Sequence, residues 1–319
     1  MRTRRAPTRR DARPPRKSAL PQVKLDSRAR RAAMAKRKSA IDHRTRIHRL
    51  DGTCGITMRH SGAMSSEDAR EIIAAARLIT VLTGAGVSTA SGIPDFRGPQ
   101  GLWTKDPKAA RMFDIDAYVA DRDIRVLAWR NRRDHPAWTA RPNAAHHAIA
   151  DLERQGRVRA VITQNIDGLH QAAGSGKAAP VLEVHGTIHN TVCLDCSERR
   201  PMTQTLARVE SGEDDPPCLD CGGMLKSDTI SFGQQLDPGV LDQAMRAARE
   251  CDVLIAAGTS LQVNPVASLV PMAWQAGARV VICNADPTPY DSIAEELVRE
   301  PLEEALRYIV SDDAGNGLS

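Results

Sequence analysis

The chain has 319 residues, 41% of them hydrophobic and 26% charged, a balance that suits one large or two smaller globular domains and excludes fibrous and wholly disordered classes. No apolar run approaches the roughly 18 residues that cross a bilayer, and the Arg-rich start lacks the apolar stretch of a secretory signal. A reducing, cytoplasmic setting is therefore expected, without disulfides. The net charge of +5 divides unevenly: residues 1–63 hold 19 basic and 4 acidic residues, leaving 25 and 35 for residues 64–319.

Residues 1–63 are expected to form a disordered basic tail, too polar to offset its ordering entropy. Such a tail fits nonspecific contacts with nucleic acid or another polyanion, although it lacks aromatic residues for base stacking. It equally fits a dispensable or untranslated leader, because Met64 opens directly onto a helix signal. The folded body is expected over 64–319.

In that body, Ser-Ser-Glu-Asp ahead of Ile72, Ile73, Ala76 and Leu78 predicts a capped helix. Short apolar runs at 78–82, 158–162, 181–184, 253–257 and 280–283 predict strands buried on both faces, as in a parallel sheet. Helical patterns at 144–152, 240–249 and 265–276 would cover them. The fold class implied is α/β, a doubly wound parallel sheet. Between Gly186 and Phe232 the alternation stops and the chain turns polar and Cys-bearing, which predicts a small inserted module at about 187–232. The end, 312–319, reads as frayed.

Four motifs carry chemistry. Gly84-Ala85-Gly86 follows the first strand and could bring backbone N–H groups to a pyrophosphate. Thr89 stands where a full dinucleotide fingerprint has its third glycine, so the turn equally fits packing alone. Cys193-Leu194-Asp195-Cys196 and Cys218-Leu219-Asp220-Cys221 are paired C-x-x-C knuckles, the spacing that presents four thiolates to one structural zinc ion. The remaining thiols, Cys54, Cys251 and Cys283, read as small packing residues. Gln164, Asn165, Asp167 and His170 lie just past a strand, where open α/β sheets place ligands. His185-Gly186 also ends a strand, and a His there can act as a general base near neutral pH. His146, His147, His170 and His189 keep a structural reading open for any single histidine.

Together these stretches resemble the sirtuins, NAD-dependent protein deacylases. The resemblance is carried by GAGVSTASGIPDFRGPQGLW at 84–103, TQNIDGLH at 163–170, HG at 185–186, the four Cys, GTSLQVNP at 258–265 and CNAD at 283–286. It implies a Rossmann-like large domain with an inserted small zinc-binding domain, and a cleft for NAD as co-substrate and an acyl-lysine peptide. By resemblance, Gly84, Ala85, Gly86, Thr89, Asp95, Phe96, Arg97 and Trp103 would line the nicotinamide-ribose and phosphate region. Gln164, Asn165 and Asp167 would hold the nicotinamide side, with Asn165 and Asp167 counted as catalytic beside the base His185. Gly258, Thr259, Ser260, Asn284 and Asp286 would bind phosphate, ribose and adenine. Ile230, Phe232, Gly233 and Val263 would hold substrate peptide by strand addition.

The implied reaction expels nicotinamide as the acyl oxygen attacks the ribose, and ends in free lysine and O-acyl-ADP-ribose. Two departures stand out. Gln234 replaces an acidic residue after Phe232-Gly233, and the 226–230 stretch looks like the branch of nuclear sirtuins, which includes mono-ADP-ribosyltransferases. An Ala-x-x-Tyr-x-x-Arg arrangement selecting succinyl or malonyl groups is absent around Tyr118, so acetyl or longer neutral acyl groups are expected. ADP-ribose transfer to protein is the rival reaction; a noncatalytic NAD sensor that recruits nucleic acid through its tail is the rival of another class.

Overall fold

The computed structural model describes residues 66–96, 101 and 111–311; the 1–63 tail, Cys54, Arg97, Trp103 and 312–319 lie outside the described residues. Helix α1 (Ser66–Ala74) leads into β1 (Ile79–Thr83), and a 3-10 turn follows at Ala85–Ser91. Next come α2 (Ile115–Ala120), α3 (Arg122–Arg133), α4 (Ala144–Arg154), β2 (Val158–Thr163), α5 (Leu169–Ala173) and β3 (Val181–Glu183). The chain continues through β4 (Gly186–Cys193), β5 (Arg199–Pro201), α6 (Met202–Glu210), β6 (Leu225–Thr229) and α7 (Pro238–Glu250). It closes with β7 (Val253–Ala257), α8 (Leu269–Ala276), β8 (Arg279–Cys283), β9 (Glu296–Val298) and α9 (Leu302–Val310).

Six strands form one parallel sheet in the order β3-β2-β1-β7-β8-β9. β1 and β7 are buried at every residue, as central strands covered on both faces must be. Successive side chains alternate between faces. Val81, Val161, Ile255 and Val281 therefore share one core with α1, α4 and α9, while Leu82, Ile162, Leu254 and Ile282 share the other with α7 and α8. The strand order reverses direction at β1/β7. In open α/β sheets the crevice beyond the strand ends at such a reversal is where ligands bind.

The predicted strands agree with β1, β2, β3, β7 and β8 to within one or two residues. The 265–276 pattern resolves into a 3-10 turn at Val266–Ser268 and then α8. The inserted segment forms a separate antiparallel sheet, β5-β4-β6, with α6 beside it. Its small core joins Met202, Leu206, Val209 and Leu225 to Cys193 and Cys218, and also to Trp129 from α3. Tyr118 of α2 ties in as well, its hydroxyl donating to the Leu225 carbonyl at 2.7 Å. The module thus draws on two helices well upstream of the insertion. Among the described residues no helix is long and apolar enough to cross a membrane.

Candidate active site

Three strand ends meet at the β1/β7 reversal. The Gly86 N–H donates to the Gly258 carbonyl at 2.9 Å. A Cβ on Gly84 would stand 2.7 Å from the Gly258 oxygen and the Thr259 Cβ, and one on Gly86 would stand 2.8 Å from the Gly258 Cα. Gly258 itself sits at φ +60°, a region that glycine enters without strain. These glycines therefore let two strand ends touch, answering part of the question the small-residue turn left open: close packing is one of its uses. Gln164, just past β2, joins the contact by donating to the Thr259 hydroxyl at 2.9 Å.

Asn165 and Asp167 are held by a buried polar network. The Asn165 amide donates to the Gly84 carbonyl at 3.1 Å and to the Ser88 hydroxyl at 3.0 Å. Ser88 in turn donates to an Asp167 carboxylate oxygen at 2.7 Å, and the other oxygen accepts from the Leu169 N–H at 2.9 Å. His146 lies 3.4 Å from the Ser88 hydroxyl, and its ring packs 5.0 Å from that of His170. His170 reaches Thr83 at 2.9 Å. Burial drives both rings toward the neutral form, with pKa values of about 4 for His146 and about 3 for His170. A neutral His146 leaves the Asp167 carboxylate held in place by its hydrogen bonds from Ser88 and Leu169.

His185 ends the segment after β3. Its Nδ1 lies 3.1 Å from the Gln164 carbonyl. A carbonyl only accepts, so Nδ1 carries the hydrogen and the Nε2 lone pair is left to take a proton. Burial holds the imidazole pKa below its ordinary value, partly offset by the Gln164 hydrogen bond. The His185 carbonyl accepts from the Ile230 N–H at 2.8 Å. At Gly186, φ is +74° and a Cβ would fall 2.2 Å from the Asp228 carbonyl, so only glycine lets β6 run this close to His185.

The segment after β6 is pinned on one side. Phe232 donates to the Phe113 carbonyl at 2.6 Å and accepts from Ile115 at 3.0 Å. Because alternate residues address opposite edges, Ser231 and Gly233 face the other edge, where Gln234 supplies a side-chain acceptor for the Ser231 N–H at 2.9 Å. Phe232 is 45% exposed. Val263 is half-buried beyond β7. Phe96 packs edge-on to Phe113 at 5.8 Å; Asp95 precedes it, half-buried, as do Ala85 and Gly86 in the turn, while Thr89 is exposed. Beyond β8, Arg299 donates to the carbonyls of Asn284 and Asp286 at 2.6 and 2.8 Å and so fixes the loop carrying both. Ser260 is half-buried beside Thr259.

In the inserted module, the four Sγ atoms of Cys193, Cys196, Cys218 and Cys221 lie within 4.8 Å of one another, with Cys193–Cys221 at 3.5 Å and Cys196–Cys218 at 3.8 Å. Four thiolates at 2.3 Å from a tetrahedral zinc stand about 3.8 Å apart. The donor set fits one structural zinc with no coordination position left for substrate. Cys251 and Cys283 are buried in the two sheet cores.

The Sir2 family model matches residues 84–265. The chain belongs to the Sir2 family. This sirtuin is 55% identical over 229 residues to "NAD-dependent protein deacetylase 2" of Streptomyces coelicolor, a match covering 72% of this chain and 95% of the relative. It is 42% identical over 247 residues to "NAD-dependent protein deacetylase 1" of Pyrobaculum aerophilum, covering 75% and 91%. Among solved structures, the sirtuin resembles one described as "Sir2-p53 peptide-NAD+" with a TM-score of 0.68 at 34% identity, covering 77% of this chain and 97% of that one. Another, "Structural Basis for the Mechanism and Regulation of Sir2 Enzymes", gives 0.70 at 39% identity, covering 77% and 96%. Motif reading singled out Asn165, Asp167 and His185 but assigned nothing to Ser88, which joins Asn165 to Asp167, or to Arg299. Ser88 stood inside the quoted glycine-rich stretch. Arg299 carried no local signal.

Proposed function

We propose that the protein is an NAD-dependent protein lysine deacetylase that releases nicotinamide and O-acyl-ADP-ribose. The single observation that carries this reading is His185, an imidazole with Nδ1 tied to the Gln164 carbonyl and Nε2 left basic, set between the sheet reversal and the segment at Ile230. Bound NAD supplies a ribose carbon whose leaving group is nicotinamide. Gly84, Ala85, Gly86 and Thr89, with Gly258, Thr259 and Ser260, cradle the phosphates; Asn284 and Asp286 hold the adenosine end. Asn165 and Asp167 orient the nicotinamide end through the Ser88 network with Gln164 beside them, and Phe96 excludes water there. His185 Nε2 takes the proton of a ribose hydroxyl. The substrate strand adds to the edge presented by Ser231 and Gly233, between Phe232 and Val263, with Ile230 beneath it. Backbone pairing of this kind makes sequence selectivity modest.

The partners are acyl-lysine proteins in the cytoplasm, a setting that suits the unpaired Cys251 and Cys283 thiols. The basic 1–63 tail adds polyanion binding. The test follows the label of adenine-labelled NAD incubated with the full chain and an acetyl-lysine peptide. We expect label only in small molecules, as O-acetyl-ADP-ribose, and only when peptide is present. Label retained on protein without peptide would replace deacetylation by ADP-ribose transfer.

A further inference from the structure

Two imidazoles clasp one stretch of backbone. Just past β2, the Gln164 carbonyl accepts from His185 Nδ1 at 3.1 Å, the Ile166 carbonyl from the Ile188 N–H at 2.9 Å, and the Asp167 carbonyl from His189 Nε2 at 3.1 Å. A carbonyl only accepts, so Nε2 of His189 carries the hydrogen. Residues 185–189 are thus zipped to residues 164–167 by three hydrogen bonds, with an imidazole at each end. His185 holds the end nearer β2; His189 holds the end that carries Asp167.

The surroundings of His189 are shaped to this contact. Gly168 sits at φ +72°, and a Cβ there would fall 2.5 Å from His189 Nε2, so any larger residue at 168 would push the imidazole off the carbonyl. Trp138 packs edge-on against the ring, with centroids 5.7 Å apart. Its own indole N–H is fixed by the Arg132 carbonyl at 2.7 Å. The preceding residue, Ile188, is fully buried and shares a small core with Ile93, Ala137 and Leu169, which anchors the strand that presents His189.

Asp167 is therefore held at three atoms. Its two carboxylate oxygens accept from the Ser88 hydroxyl and the Leu169 N–H, and its carbonyl accepts from His189. The first two bonds orient the carboxylate; the third fixes the backbone that carries it. The strand supplying the third, β4, starts directly after His185 and ends at Cys193, one of the four clustered thiols. His189 thus ties Asp167 to the strand that joins the base to the zinc module.

We infer that His189 is a positioning residue: by donating to the Asp167 carbonyl, it holds Asp167 in register with the nicotinamide end of NAD and so sets the affinity for that end. The inference rests on the reading above in taking Asp167 to meet the nicotinamide end. Its effect is confined to that half of the co-substrate, because the close contacts among Gly84, Gly86 and Gly258 are made without His189.

The test measures, by calorimetry, the Kd of NAD and of ADP-ribose, which lacks nicotinamide, on the zinc-loaded full chain and on its His189→Phe and His189→Gln variants. Phenylalanine keeps a ring against Trp138 and removes the N–H; glutamine keeps a side-chain N–H at similar reach and removes the ring. We expect NAD to bind His189→Phe about 5- to 10-fold more weakly, the usual range for one neutral hydrogen bond. ADP-ribose should stay within about twofold of the unmodified chain, and His189→Gln should bring NAD back within about threefold. An imidazole that only filled space beside Trp138 would give the reverse order. NAD affinity kept in His189→Phe, or lost in His189→Gln alone, would therefore overturn the proposal. Equal weakening of NAD and ADP-ribose in His189→Phe would overturn it too, since that reports a general distortion of the site. The readout needs no turnover. Selective weakening of NAD in His189→Phe, with no turnover of acetyl-lysine peptide by the unmodified chain, would fail the deacetylase reading and uphold the role of His189.

Discussion

His185→Ala is expected to lower kcat for deacetylation by 10² to 10⁴-fold, the usual contribution of a positioned general base, while the Kd for NAD measured by calorimetry changes by less than about threefold. The split follows from placement. The imidazole contacts the fold through the Gln164 carbonyl at one ring nitrogen, and the glycine-rich contacts among Gly84, Gly86 and Gly258 do not involve it. The pH profile gives a second readout. Burial lowers the His185 pKa, so the neutral, proton-accepting form persists below the ordinary histidine value of about 6.5. The acidic limb of kcat/KM against pH should therefore lie below 6.5. A limb above 6.5, or wild-type turnover in His185→Ala, would remove the general-base role. Stability limits how far the titration can be carried. His146 and His170 have folded pKa values of about 4 and about 3, below their unfolded values, so the unfolded chain takes the protons first. Their contribution is complete above pH 6.5 and is lost as pH falls from there toward about 4 for His146 and about 3 for His170.

Cys193→Ser, or chelation of the native protein, is expected to release one equivalent of zinc per chain and unfold the inserted module. Binding free energies for structural zinc in small modules are about 10–16 kcal/mol. Here the metal would hold together a core of seven residues, two of which, Cys193 and Cys218, are themselves ligands. The loss should spread beyond the module, because Trp129 of α3 packs in that core and Tyr118 bonds to Leu225. Zinc content by atomic spectroscopy with hydrogen exchange over β4, β6, α2 and α3 reads both effects. Retention of one zinc per chain in Cys193→Ser would refute the four-Cys site.

The central sheet was legible because its strands are short runs of Val, Ile, Leu and Ala buried on both faces, so the apolar pattern needs no tertiary information. β9 escaped notice since three residues, Glu296–Val298, are too few to show a pattern. α9 was passed over although Ala305, Leu306, Ile309 and Val310 make a buried apolar face at helical spacing. The stretches around Gly84, Asn165 and His185 were legible as motifs, and the paired C-x-x-C knuckles specified their own geometry. What joins them was not legible. Ser88, Asn165, Asp167 and His146 come from three separate segments, brought within hydrogen-bond distance by the parallel pairing of β1 with β2 and by the packing of α4 on that sheet.

The most direct test of the account is the stoichiometry of the reaction. The full zinc-loaded chain would be incubated with NAD and an acetyl-lysine peptide, and nicotinamide, deacetylated peptide and O-acetyl-ADP-ribose quantified together by mass spectrometry. The account predicts the three products in equal amounts, none of them without both NAD and acetylated peptide. Deacetylated peptide in the absence of NAD, or nicotinamide formed without deacetylated peptide, would contradict it.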